Sequence, residues 1–379
     1  MALRSATEQI FLQIYFTPGL GNTSQRKILE KLGEPFQEKW LELCGESRGK
    51  TGRWEGIPLE LLHRSGEDSV LRRASEERES LLKHRGRLIS FLDPDYPPLL
   101  RVVHDPPAFL FMRGSFVDWE NRTPIAFVGT RGATEYGKKV VETFIEGMAD
   151  APVTIVSGFA KGIDTFAHEA ALQWGLPTVG ILGTGLDLIY PEENEALYYR
   201  MAEEGLLITQ FSSRTRLGSW NFPERNRVIS GVSRGVVVVE APSQSGALIT
   251  ADFAVEEGRE VFAVPGSILS LKNKGCHKLI AQGAKLTNGV EDILEELKIL
   301  RVSSGKKSGV TQSKIEVNAD EAALLKRLSR DPLHIDKIAE MSNLAPSSVA
   351  SSLTTLVLKG VAEELPGKFF IRTCDNVDG

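Results

Sequence analysis

The chain has 379 residues, of which 41% are hydrophobic and 25% are charged, a composition typical of a globular protein with two or three domains. The formal net charge of −5 excludes a surface that is basic throughout, so a nucleic-acid site would have to be a local cationic patch. Three scattered cysteines without a C-x-x-C pair argue against a disulfide framework or a metal site. No apolar run reaches the ~18 residues of a membrane span and no signal-peptide pattern is present, so we expect a cytoplasmic protein without a membrane partner.

Residues 1–85 are predicted to form a separate helical domain. A tight turn with two glycines, Pro18-Gly19-Leu20-Gly21, leads into a helical pattern over residues 22–32. This arrangement resembles helix-hairpin-helix and SAM-like modules, in which backbone N–H groups grip DNA phosphates. A small helical domain for protein interaction explains the same pattern equally well, and both interpretations stay open.

Residues 86–300 are predicted to form an α/β domain. Short apolar strands alternate with helical segments, such as residues 138–148, 193–204 and 248–257, which indicates a parallel sheet covered by helices on both faces. The predicted strands are Ile125–Val128, Thr154–Val156, Thr178–Leu182, Leu206–Thr209, Val236–Val239 and Glu260–Val264. Ligands of such sheets bind outside the carboxyl ends of the strands, so the residues that follow each strand are candidates for a site.

Two of these strands run directly into glycine-containing turns that carry a cation. The first turn is Gly129-Thr130-Arg131, and the second is Ser157-Gly158-Phe159-Ala160-Lys161-Gly162. Glycine lets a ligand approach the backbone closely, and a helix that begins after such a turn directs N–H groups and a positive dipole end at an anion. The two cations therefore favour a phosphate ligand, although tight strand-to-helix turns would explain the glycines alone.

The turns do not match the two common nucleotide fingerprints. The first turn lacks the Gly-x-Gly-x-x-Gly spacing of a dinucleotide fold, and the second strand ends in Ser157-Gly158 instead of an acid for the ribose. Residues 132–139 nearly match a P-loop, but Lys139 stands where the Mg²⁺-binding hydroxyl belongs. The remaining interpretation is the phosphate backbone of a nucleic acid, with no cofactor.

Cationic segments follow the fourth and sixth strands. Residues 214–234 hold five arginines and one acid, and residues 268–285 hold four lysines and no acid. The first segment includes the end of a long predicted loop, Asn221–Arg227. In that loop Phe222 could stack on a base or pack beneath the loop, and Asn226 could contact DNA or fix a turn. Neither pair of alternatives is resolved by the sequence.

Residues 301–318 are predicted to be a polar linker, and residues 319–373 a third domain. Three helical segments followed by a hairpin around Pro366-Gly367 indicate a winged helix. The third helix carries serines rather than cations on the face that would meet DNA. That composition favours a structural or protein-interaction role over duplex binding.

Several motifs in a fixed order resemble the DprA/Smf family, the DNA-processing proteins of bacterial natural transformation. They are Gly129–Arg131, Ser157–Asp164, Gly183–Pro191, Phe222–Gly231, Ser245–Thr250, Val264–Ser267 and Gly275–Ile280. The resemblance covers roughly Phe91–Leu297. It implies an extended Rossmann-like fold that dimerises, binds single-stranded DNA without base specificity, and loads RecA onto incoming DNA coated by single-strand binding protein.

The resemblance assigns phosphate contacts to the cations of the two turns and to Arg225 and Arg227. Glu192 and Glu193 stand near the Tyr-Pro-x-x-Asn turn, where a basic residue is expected, and this departure would weaken one phosphate contact. The predicted nucleic-acid-binding residues are Gly129, Thr130, Arg131, Ser157, Gly158, Lys161, Phe222, Arg225, Asn226, Arg227, Ser245, Gly246, Thr250 and Lys278.

The rival interpretation is a nucleotide enzyme. Nucleoside-monophosphate phosphoribohydrolases have a similar kind of fold and carry Pro-Gly-Gly-x-Gly-Thr-x-x-Glu, whose acid attacks at the ribose. Ser245–Thr250 occupies a similar place but lacks the second glycine pair and an acid at the right offset. Glu240 and Glu256 are the nearby acids, and strand-end and helix-surface roles suit them. We therefore predict a binding protein with no catalytic residue.

Overall fold

The computed structural model describes residues 2–33, 35–47, 49–301, 318–329, 333–342, 344–359, 361–365 and 367–372. It divides into two compact units, residues 1–302 and residues 303–379. The predicted linker 301–318 lies outside the described residues, apart from its first and last positions. None of the helices in the described ranges has the length and apolar composition needed to cross a membrane.

The first unit begins with five helices and a small hairpin. Their bounds are α1 Ala2–Phe16, α2 Asn22–Leu32, α3 Phe36–Ser47, β1 Arg53–Trp54, β2 Ile57–Pro58, α4 Leu59–Arg64 and α5 Asp68–Lys83. Gly19, in the turn before α2, has φ +93, a conformation that favours glycine. Apolar side chains of α1, including Ile14, share a buried cluster with Trp40 of α3 and with Phe109 of the following α/β region. The domain boundary after residue 85 stays a prediction.

The rest of the first unit alternates strands and helices. Its elements are β3 Arg87–Ser90, α6 Pro98–Arg101, β4 Phe109–Gly114, β5 Thr123–Val128, α7 Glu135–Glu146, β6 Val153–Ser157, α8 Ile163–Gln173, β7 Thr178–Ile181, α9 Glu195–Glu204, β8 Leu206–Thr209, α10 Asn221–Val232, β9 Gly235–Val238, α11 Gly246–Glu256, β10 Glu260–Ala263, α12 Lys274–Ala281, β11 Lys285–Leu286 and α13 Val290–Glu296. All six predicted strands are confirmed, with ends that differ by at most two residues.

These strands form one nine-stranded sheet in the order β11-β10-β9-β5-β6-β7-β8-β4-β3. The strands from β11 to β8 are parallel, and β4 and β3 are added antiparallel at one edge. Every residue of β6, β7, β8 and β9 is buried, as expected for parallel strands covered on both faces. Separate apolar clusters lie on the two faces of the sheet, and the mixed α/β fold class is confirmed.

The strand order reverses beside β5. From β5 the chain proceeds to β6, β7 and β8 on one side, and later to β9 and β10 on the other. The loops at the carboxyl ends of neighbouring strands diverge at such a point and leave a crevice, which is the usual ligand position in doubly wound sheets. The first glycine turn follows β5 and therefore lies at this crevice.

The segment that contains Phe222 and Arg225 is not a loop. Residues 221–232 form α10, so the prediction of a loop ending at Arg227 is wrong. Four residues of the segment, Phe222, Val228, Ile229 and Val232, are apolar with helical spacing, and Pro223 is tolerated in a first helical turn. The arginines and asparagine between them obscured this period.

The second unit is a winged helix, as predicted. Its elements are α14 Ala319–Leu325, β12 Leu333–His334, α15 Ile335–Ser342, α16 Pro346–Leu358, β13 Ala362–Leu365 and β14 Phe369–Arg372. The strands form an antiparallel sheet in the order β12-β14-β13. Leu324, Ile338, Val349, Leu353 and Phe370 form its apolar core.

Candidate nucleic-acid interface

The first glycine turn, residues 129–134, is packed directly against α8. A Cβ atom at Gly129 would lie 2.5 Å from Cγ1 of Ile163, so glycine is required for this approach. The Thr130 N–H donates to the carbonyl of Glu240 at 2.7 Å, which joins the turn to the segment that follows β9. This packing leaves Arg131 exposed, with its guanidinium 5.1 Å from the centre of the Phe222 ring.

The helix that follows this turn does not offer its N-terminus to a ligand. The carboxylate of Glu240 is buried and accepts hydrogen bonds from the N–H and hydroxyl of Thr134, at 2.9 and 2.7 Å. The Thr134 hydroxyl in turn accepts from the Gly137 N–H at 3.2 Å and caps α7. An anion at the first turn would therefore be held mainly by Arg131, not by the α7 dipole as the sequence suggested.

The second turn, residues 158–162, interlocks with the first. Gly162 has φ +80, and a Cβ atom there would lie 2.4 Å from the Thr130 carbonyl oxygen. The hydroxyl of Ser157 is buried and donates to the Phe127 carbonyl at 2.6 Å, so it is engaged within the sheet. Lys161 is half exposed, and its ammonium donates to the carboxylate of Glu193.

Helix α10 separates the predicted site residues between two faces. Phe222, Arg225 and Asn226 are three and four residues apart and lie on the face toward the crevice. Arg227 is two residues from Arg225, about 200° around the helix, and its guanidinium lies 4.6 Å from the centre of the Phe253 ring. The two arginines of the motif therefore lie on different faces of α10, and only Arg225 lines the cleft.

Arg225 is buried, with 6% of its surface exposed. Its guanidinium donates to the Ile181 carbonyl at 2.9 Å and to Oδ1 of Asn226 at 3.0 Å. A Cβ atom at Gly158 would lie 2.8 Å both from Cζ of Arg225 and from Oδ2 of Asp164, so only glycine fits between these two charged groups.

Burial and mutual attraction act in opposite directions on Asp164 and Arg225. Burial raises the pKa of Asp164 to about 6, although the charge of Arg225 opposes this shift. Burial lowers the pKa of Arg225 to about 10, and the Asp164 charge opposes that shift. Each charged group therefore offsets part of the cost of burying the other beneath the second turn.

The start of α11 forms the opposite wall of the crevice. Ser245 caps this helix by accepting from the Ala247 N–H at 3.3 Å. The buried Thr250 hydroxyl donates to the Gly246 carbonyl at 3.4 Å, and the Asn226 side-chain amide donates to the same carbonyl at 3.3 Å. Asn226 thus ties α10 to α11.

These elements enclose a cleft of about 320 Å³. The predicted site residues that line it are Gly129, Thr130, Arg131, Phe222, Arg225, Asn226, Ser245, Gly246 and Thr250. A smaller cavity of about 40 Å³ shares Arg131, Phe222 and Arg225 with it and is also lined by Gly158 and Lys161. Arg227 and the exposed Lys278 of α12 line neither cavity.

Two aromatic residues, one lining the smaller cavity and one at the start of α10, were not predicted as site residues. Tyr190 lines the smaller cavity, and its ring centre lies 5.8 Å from that of Phe222 at an interplanar angle of 45°. Trp220, at the start of α10, is 59% exposed and packs edge-on against Phe211. Their sequence signal was weak, because each stands beside a Pro or Gly turn where an aromatic residue has no periodic partner.

The fold and the cleft define a class of protein. It has a Rossmann-like domain with a local cationic and aromatic site at the carboxyl ends of the parallel strands, and it also has a winged-helix domain. The sequence model of the family "DNA recombination-mediator protein A" matches residues 87–298, and that of the "DprA winged helix domain" matches residues 310–368. The chain belongs to the DprA/Smf family of DNA recombination-mediator proteins, as its motifs indicated.

Individual members of this family are similar in sequence to the chain. The DNA processing protein DprA of Streptococcus pneumoniae is 45% identical over 207 residues, which are 55% of this chain and 73% of the relative. The protein Smf of Escherichia coli is 37% identical over 278 residues, 72% of this chain and 74% of the relative.

Two solved structures are also similar. DprA from S. pneumoniae has a TM-score of 0.62 at 37% identity, covering 76% of this chain and 97% of its own. The DNA processing protein A of Helicobacter pylori, whose single-stranded DNA binding mode has been described, has a TM-score of 0.51 at 25% identity, covering 56% of this chain and 96% of its own.

Proposed function

We propose that this protein binds single-stranded DNA without base specificity at the cleft beside β5 and loads RecA onto that DNA during natural transformation. The observation that carries the binding proposal is the exposed Arg131 guanidinium over the Phe222 ring, on the shared rim of both cavities. A cation for the phosphate beside an aromatic ring for the base is the combination used by sequence-tolerant single-strand binders.

The remaining parts of the proposal rest on the family. We infer that the protein acts in the cytoplasm as a homodimer and displaces single-strand binding protein while RecA assembles. We also propose that it catalyses no reaction, because both acids near the cleft are engaged: Asp164 is paired with the buried Arg225, and Glu240 accepts two hydrogen bonds from Thr134. A test of loading is the rate of RecA-dependent strand exchange on DNA coated with single-strand binding protein. An unchanged rate after addition of this protein would refute the loading step.

We expect a strong preference for single-stranded over double-stranded DNA. The cleft is recessed between the first glycine turn and helices α10 and α11, so an unstacked strand fits it better than a duplex. Binding to the phosphate backbone should weaken steeply as salt rises. Fluorescence anisotropy with a labelled oligonucleotide and its duplex, each at several salt concentrations, checks this. Equal affinities for the two would contradict the proposed function.

We expect Phe222→Leu to reduce single-strand affinity by about 1–3 kcal/mol, the usual loss for one stacked base. Leucine retains apolar volume against the backbone at Gly183 but removes the ring. The matched variant Phe222→Tyr keeps the ring and should bind nearly as the wild type does.

Melting temperatures of the two variants decide between stacking and packing for this side chain. Full affinity in Phe222→Leu, together with a lower melting temperature in both variants, would show that Phe222 is a packing residue.

A further inference from the structure

The exposed cation of the second turn already holds an anion of this chain. Lys161 donates a hydrogen bond to Glu193, and the two side chains are 49% and 63% exposed. Lys161 lines the smaller cavity together with Arg131, Tyr190 and Phe222. The Glu193 carboxylate is therefore already hydrogen-bonded to the ammonium group that is predicted to contact a backbone phosphate.

Neighbouring contacts fix the position of Glu193. It belongs to a single 3₁₀ turn, Glu192–Asn194, that precedes α9. The buried Asn194 donates to the Phe159 carbonyl at 3.1 Å and accepts from the Thr165 hydroxyl at 3.1 Å. These bonds attach the turn to the backbone beside Lys161 and keep the backbone of Glu193 within reach of the ammonium group.

The ion pair is weak enough for a DNA phosphate to displace the Glu193 carboxylate from Lys161. Exposed ion pairs contribute little, because water solvates both charges and salt screens them. The hydrogen bond lowers the pKa of Glu193 below the ordinary value of a glutamate, so the carboxylate is charged at neutral pH. A phosphate that binds Lys161 must displace this carboxylate and then remain near its negative charge.

We propose that Glu193 is an affinity-setting residue: it competes with DNA phosphate for Lys161 and so lowers both the affinity for single-stranded DNA and the salt dependence of binding. This inference rests on the proposed function and names a residue that competes with DNA at the Lys161 contact. Without the carboxylate, Lys161 no longer has this anionic partner. A DNA phosphate can then interact with an ammonium charge that is not already neutralised.

The test is Glu193→Gln, with Glu192→Gln as the matched control. Glu192 is the adjacent exposed acid, so its loss changes the net charge equally, but it is not the carboxylate that Lys161 contacts. At low salt we expect Glu193→Gln to bind a labelled single-stranded oligonucleotide about two- to fivefold more tightly, the equivalent of one surface ion pair. The salt slope should steepen by up to about 0.7, the value for one more phosphate neutralised. Glu192→Gln should change both quantities much less.

A double mutant shows whether the effect passes through Lys161. In the background Lys161→Ala, the further change Glu193→Gln should no longer increase the affinity. A gain that persists without Lys161, or a gain of equal size in Glu192→Gln, would overturn the inference. A wild-type protein that does not bind the oligonucleotide would instead refute the proposed function. Melting temperatures should be the same for all variants, because all three side chains are exposed.

Discussion

Replacement of Arg225 by alanine should lower the free energy of unfolding by about 3–5 kcal/mol, the usual cost of removing one member of a buried charged pair. The guanidinium is buried, donates to the Ile181 carbonyl and Asn226, and compensates the charge of Asp164. Its loss leaves a carbonyl without its donor and Asp164 without its compensating charge. Urea unfolding of the wild type and the variant measures the effect.

Arg227→Ala is the control for this experiment. Arg227 lies on the same helix, but its guanidinium contacts the Phe253 ring and the residue is only partly buried. We expect its removal to cost about 1 kcal/mol or less, the range for cation–π contacts at exposed sites. If Arg225→Ala instead unfolds like the wild type and loses only DNA affinity, Arg225 is a direct phosphate ligand, as the family resemblance implies.

The loss of unfolding free energy caused by Arg225→Ala should also increase as pH rises. The pKa of Asp164 in the folded protein, about 6, is above its ordinary value of 3.8, so ionisation of this group weakens the folded state as pH rises through that interval. Without Arg225 the folded pKa moves higher still, and the weakening continues above pH 6. The difference in unfolding free energy between wild type and variant should therefore be larger at pH 8 than at pH 6.

Replacement of Arg131 by alanine should weaken single-strand binding by about 1.5–3 kcal/mol, the range for a hydrogen bond to a charged group. This guanidinium is exposed over Phe222, and a guanidinium can hold a phosphate through two hydrogen bonds. The loss should be similar for all base sequences, because a phosphate contact carries no base information. The salt slope should flatten by about 0.7, the single-strand value for one phosphate.

Arg131→Lys separates charge from geometry. Lysine should restore the salt slope but only part of the affinity, because an ammonium group cannot form the paired hydrogen bonds of a guanidinium. A role in bracing the turn would give a different result: the melting temperature of Arg131→Ala would fall while its salt slope stayed unchanged. That result would remove Arg131 from the interface.

The family and the strand-helix alternation could be predicted because both depend on local sequence. A buried parallel strand needs a run of apolar residues, and the close approach of the first turn to α8 needs glycine at position 129. Helix α10 was missed because the polar residues Arg225 and Asn226 stand on its buried face, which hides the apolar period. Such polar residues can be buried only because carbonyl groups and charges from distant segments form hydrogen bonds or ion pairs with them.

The sequence by itself determined the fold class, the family and the edge of the sheet at which the cations gather, since these follow from periodicity and from ordered motifs. Only the tertiary structure decided what each cation does. Arg131 remains exposed, Arg225 is buried beneath the second turn, Arg227 lies on another face of its helix, and Lys161 is paired with Glu193. The physical reason is that exposure and partners depend on contacts between residues far apart in the chain, which neither spacing nor residue type specifies.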